Sequence, residues 1–200
     1  MTCHSRLAGS GRLVILRICA IIGIDLFLFC SHNSEMHDAR AIANFFLDRA
    51  ERRGMKLTTM TLLKVLFFAH AWYLAKESKP LIAQPFEAWE YGPVSRIVYD
   101  QFKNNGKEPI SKRAVSFDAN RSSFCNTPYF LDRETEVFLN NIFDYYSQFD
   151  AFKLSDLTHE KGSPWDVVWS AAATRAVPGM YIPNEIIASW FREQREVYST

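Results

Sequence analysis

The chain has 200 residues, 48% hydrophobic and 22% charged, which is enough apolar material for one well-buried domain and too little length to expect two. Twenty-three Lys and Arg against 22 Asp and Glu give a net charge of +1, so no overall field draws the protein to nucleic acid or to an anionic membrane. An aromatic content of 14%, with 16 Phe and five Trp, points to a dense core, a sticky surface groove, or both.

The apolar run from Leu13 to Cys30 is interrupted by Arg17 and Asp25. Each costs about 2.5 to 3.5 kcal/mol near the centre of an inserted helix, which cancels most of what the Leu, Ile and Phe residues contribute. Phe29-Cys30-Ser31-His32 is a poor signal-cleavage site. Residues 1–35 are therefore expected to be an extension ahead of a true start at Met36, with a weak hydrophobic anchor and a cleaved signal as alternatives. The remainder carries 20 charges of each sign and only Cys125 of the four cysteines, so it has neither a disulfide framework nor a Cys-x-x-Cys clip. A cytoplasmic location fits this, with Cys125 a bystander thiol.

From Asp38, Ile42, Phe45, Phe46 and Arg49 mark one face of a helix over 38–53, with Gly54 as a left-handed cap. Thr58 or Thr59 caps a second helix, which is apolar over more than one stripe through Leu62, Leu66, Phe67, His70 and Tyr73 and is therefore predicted to be central. Gln84 to Tyr91 alternates Phe86, Ala88 and Glu90 with Glu87, Trp89 and Tyr91, the period of a short strand. Pro93 is expected to open a third helix directly after Gly92, and Ala114 to Phe117 to form a second strand pairing with the first. Asp132 caps a fourth helix, and Lys153 to His159 reads as a short helix or turn. Ser163-Pro164-Trp165-Asp166 is a capping box with Asp for Glu that opens a helix through Ala173. A last helix starts near Asn184. The expected fold is mainly α (α+β): a bundle of about five to six helices with a small two- to three-stranded antiparallel sheet.

Chemistry-bearing patterns are sparse. His70 has no His or carboxylate four residues away, so it reads as a core or interface histidine. His159, flanked by Asp156 and Glu160 and followed by Ser163, could be the centre of a hydrolase, but Ser163 is better used as a helix cap, and the group reads as a structural knot. Glu87 and Glu90 fall on opposite strand faces and cannot act as a paired acid and base. Phosphate loops, His-Glu-x-x-His and Gly-x-Ser-x-Gly are missing, so no catalytic, cofactor or metal site is expected. Arg49, Arg52 and Arg53 suit a helix C-terminus better than nucleic acid, the basis of a DNA-binding alternative. Trp72 and Trp165 read chiefly as packing. The strand with Glu87, Trp89, Glu90 and Tyr91 is the expected partner-binding surface, because a short ribbon has an edge that accepts an extended segment.

Three signatures keep their order and spacing: Leu62 through Trp72, with His70; Glu87 through Val94, with Gly92 and Pro93; and Leu157-Thr158-His159 with Ser163-Pro164-Trp165. Over residues 38–193 the chain resembles the SocA-like (Panacea) antitoxin family, also found as phage-associated proteins. The resemblance implies a Panacea domain over 36–200, mostly helical with a small sheet. It implies a non-enzymatic function, neutralisation of a cognate toxin encoded by an adjacent gene, in some systems with delivery to a cellular protease. It departs from the family at Glu90, where a basic residue is common, and at Ser78, which replaces a frequent Gly.

Overall fold

The computed structural model describes residues 36–173 and 178–197, so the predicted extension and its three cysteines lie outside the described residues. Seven α-helices are formed there: α1 (Ala39–Arg52), α2 (Thr59–Glu77), α3 (Arg96–Phe102), α4 (Arg133–Tyr146), α5 (Ala151–Thr158), α6 (Pro164–Ala172) and α7 (Asn184–Val197). Strands β1 (Phe86–Trp89), β2 (Gly92–Val94) and β5 (Tyr181–Ile182) make one antiparallel sheet in the order β2-β1-β5, and β3 (Val115–Asp118) pairs with β4 (Ser123–Asn126) as a separate hairpin. The fold is mainly α with small antiparallel sheets, as the pattern predicts. A seventh helix is gained where a helix or turn was expected, because Asp150 accepts from the Lys153 N–H and caps α5.

Local chemistry sets most helix starts. The side chains of Asp38, Thr58, Asp132 and Ser163 each accept a backbone N–H of the first turn. Ser163 departs from an ordinary capping box, because Asp166 reaches back to the N–H of Gly162 rather than to the cap residue. α2 ends at Ser78, whose φ of 57° is the left-handed conformation that glycine adopts most cheaply.

Fifteen of the nineteen residues of α2 are buried, which makes it the axis of the core. Phe68 stacks on Tyr146 of α4 at 4.1 Å, and Trp72 donates its indole N–H to the Tyr146 hydroxyl at 2.8 Å. Phe191 of α7 meets Phe67, Phe68 and Trp72 edge-on. No helix among the described residues is long and apolar enough to cross a membrane.

Two expectations are corrected. Pro93 does not open a helix: it sits in β2, opposite Ala88, and α3 begins at Arg96 after Ser95. The segment at Ala114 does not pair with β1, because β2 and β5 already occupy both flanks of that strand; it pairs with its nearest neighbour in sequence instead.

His70 shows how a polar group is built into this core. Its Nδ1 accepts the Ile82 N–H at 3.2 Å and its Nε2–H donates to Asn184 Oδ1 at 3.0 Å, tying the strand entry and the start of α7 to α2. Burial pushes its pKa down to about 4, partly opposed by the hydrogen bond it donates to Asn184. Because the folded value lies below the ordinary 6.5, the unfolded chain takes up the proton first. The stability is thus complete above about pH 6.5 and is lost as pH falls towards 4, by roughly 3 kcal/mol. Urea unfolding at pH 7 and pH 4.5 should show a smaller acid loss in His70→Gln than in wild type. Equal losses would show that protonating His70 is not penalised.

Candidate functional site

The two-residue loop Glu90-Tyr91 joins β1 to β2, and Gly92, with φ of 98°, supplies the positive backbone angle that closes it. Four carbonyl oxygens of this hairpin are each met by a side chain from the helices or the turn after α5. Trp165 of α6 donates Nε1–H to Trp89 O at 2.7 Å. His159, following α5, places Nε2 3.1 Å from Glu90 O, Ser155 of α5 donates to Tyr91 O at 2.9 Å, and Lys64 of α2 donates to Pro93 O at 3.1 Å. The second and third sequence signatures and a lysine of the first are thus one hydrogen-bonded unit.

Lys64 is 1% exposed, and its desolvated ammonium is pulled down to about 7. The space beside it is filled by the hairpin backbone: a Cβ on Gly92 would lie 2.4 Å from Thr158 Oγ1 and 2.8 Å from Lys64 Nζ. Thr158 in turn donates to Ser155 O at 2.7 Å, and Ser163 Oγ donates to Thr158 O at 2.8 Å, which fixes the approach to α6. The His159 ring lies 3.9 Å from that of Trp165, and Trp165 stacks on Trp169 at 5.3 Å.

The structure divides the four residues expected at a partner surface. Glu87 is buried, accepts the Trp89 Nε1–H at 2.7 Å, and lies 3.7 Å from Arg96. Trp89 is half-buried against Tyr99. Glu90 and Tyr91 are exposed, Tyr91 to 59%. Phe152, 72% exposed, shares a face of α5 with the Ser155 that holds Tyr91, and Trp169 is partly exposed beside Trp165. Phe152 and Trp169 were not singled out in the sequence, where an apolar residue at helical spacing reads as core.

Both His159 nitrogens face backbone carbonyls, Nδ1 2.6 Å from Ser155 O and Nε2 3.1 Å from Glu90 O. Neither nitrogen addresses Ser163, whose hydroxyl is spent on the cap and on Thr158 O. Of the basic cluster, Arg53 and Arg49 lie 2.6 and 3.6 Å from Asp144. Among the described residues no group of three or more His, Cys, Asp or Glu is placed to hold a metal ion.

Compared with known proteins, residues 62–166 match the family described as "Antitoxin SocA-like, Panacea domain". The chain is 32% identical to Antitoxin SocA of Caulobacter vibrioides (strain NA1000 / CB15N) over 158 residues, covering 79% of this chain and 84% of that relative. No solved structure matches it.

The geometry separates positions that look alike in sequence. Gly92→Val should cost more than about 2 kcal/mol, from the positive φ and the clash with Thr158 and Lys64 together. Glu87→Lys should also destabilise, since it sets a buried ammonium against the Trp89 N–H and Arg96, whereas Glu90→Lys should stay within about 0.5 kcal/mol of wild type. Chemical denaturation of the three variants checks the order; equal tolerance of Glu87→Lys and Glu90→Lys would contradict it.

Proposed function

Because this chain belongs to the SocA-like Panacea antitoxin family, we propose that it neutralises a cognate protein toxin by direct contact, through the Glu90–Tyr91 loop and the aromatic side chains flanking it. An antitoxin role follows from family membership. Contact as the mode, and this loop as the place, are supported by one observation: the main chain of the loop and its flanking strands is held at four oxygens by helix side chains while the loop's own side chains stand in solvent.

A preorganised loop loses little conformational entropy on binding, and exposed Tyr and Trp beside it are the side chains that most often anchor interfaces. Glu90 adds a carboxylate at the tip, which favours a toxin face with a cation opposite. A hydrolase reading finds no support at His159, since the ring and Ser163 are both engaged elsewhere. A DNA-binding reading loses two of its three clustered arginines, Arg49 and Arg53, to Asp144. Delivery of the bound toxin to a protease would be a later, separable step.

Co-expression with the product of the neighbouring gene tests this directly. Tyr91→Ala combined with Glu90→Lys should abolish rescue from toxicity and co-purification while leaving the melting temperature close to wild type. Phe152→Ala should weaken both without abolishing them. Full rescue by the double variant at unchanged stability would place the toxin contact elsewhere.

A further inference from the structure

The β3–β4 hairpin stands apart from the Glu90–Tyr91 loop and does not depend on the reading given to that loop. Thr127 N–H donates to Ala114 O at 2.9 Å, which makes 114 and 127 a hydrogen-bonded position of the ladder. Antiparallel alternation then makes Val115–Asn126 and Phe117–Phe124 the non-hydrogen-bonded pairs, whose N–H and C=O groups point outward from the ribbon. On the β3 side the first outward position is closed: Val115 N–H donates to Gln101 Oε1 at 2.9 Å, and Val115 O accepts from Arg40 at 3.2 Å. On the β4 side no described residue partners the outward backbone groups of Phe124 and Asn126.

Side chains flank this open edge asymmetrically. On one face Phe124, 72% exposed, meets Phe117 edge-on at 5.5 Å, an apolar pair in solvent. On the other face the exposed guanidinium of Arg121 lies 3.9 Å from Cys125 and 3.7 Å from the half-buried Asp118 carboxylate, leaving most of its surface in solvent. An edge strand with unpaired groups and an exposed aromatic is the feature proteins usually blunt.

We propose that the β4 edge, Ser123 to Asn126, is a docking site for an extended segment of a partner protein that adds as a third strand. Its backbone would satisfy the outward N–H and C=O groups of Phe124 and Asn126. Its side chains would alternate, apolar ones against Phe124 and acidic ones towards Arg121. A second copy of the chain does not suit the site: four residues of edge fall far short of the ~1,200 Å² that a stable interface buries, and two copies would bring Arg121 against Arg121.

The test uses the full chain labelled with 15N and a blocked peptide, acetyl-Thr-Val-Glu-Val-Glu-Val-Thr-amide. The peptide should bind and slow amide exchange at Phe124 and Asn126 by at least about tenfold. An N-methylated analogue should not bind, and a Val-Lys analogue should bind more weakly. Arg121→Glu should reverse the preference between the Glu and Lys peptides. Asn126→Pro, which deletes an outward N–H and no ladder bond, should weaken binding by a similar factor, and the exchange pattern of the remaining amides reports whether the hairpin persists. The proposal is overturned by absence of binding at millimolar peptide or by protection that appears at Phe117 instead. Binding that leaves the Phe124 and Asn126 amides unchanged also overturns it, as does self-association that protects them without peptide.

Discussion

A reversal of the chain against a helical bundle brings main-chain carbonyl oxygens up to the helices, and one buried there without a donor costs about 1 to 3 kcal/mol. At the β1–β2 hairpin four such oxygens are met by Trp165, His159, Ser155 and Lys64, from three helices and the turn after α5. None of these helices can shift relative to the hairpin without opening one of the bonds. The constraint also accounts for residues that look anomalous one at a time. A lysine is carried in the most buried helix because its Nζ ends at Pro93 O, and glycine stands at 92 because a Cβ would enter the space of that Nζ and of Thr158. Ser163 caps α6 at the point that aims Trp165 at Trp89 O.

The extent of the family match follows the same logic. It begins two residues before Lys64 and ends one after Trp165, so it spans all four donors and the hairpin they hold, and leaves α1 and α7 outside. The bonds are to main-chain oxygens, so the side chains at 90 and 91 are free to vary while the loop keeps its shape. Exchange of Glu90 for a basic residue would therefore leave these main-chain bonds in place.

Much of this was legible in the sequence because caps are local. Asp38, Thr58, Asp132 and Ser163 announce their helices within four residues, and the all-round apolar character of α2 places it at the centre. Pro93 was misread because Gly-Pro suits both a helix start and a short edge strand, and only the partner opposite Ala88 decides between them. Period two separates the faces of β1 but cannot say that both are covered, and Glu87 is consequently buried rather than presented. Two-residue β5 is too short to carry a period. The role of Lys64 had one signal, a lysine set inside the apolar run from Leu62 to Leu74.

The two hairpins of the fold show how far anchoring decides what a ribbon can do. In β1–β2 four carbonyls are held by the surrounding side chains and the sheet continues to β5, so only the loop tip faces water. In β3–β4 the anchoring stops at the root, where the buried Asn44 amide bonds Ala114 N, Ala114 O and Thr127 O at 2.7 to 2.9 Å. Arg113 fastens the same root to α1 through Asp48 and Glu51. Beyond it, Phe117 and Phe124 extend into solvent with only each other to cover them. A hairpin of this size gains too little from its own ladder to stand alone, and the rigid root is what keeps the aromatic pair and the open β4 edge in register.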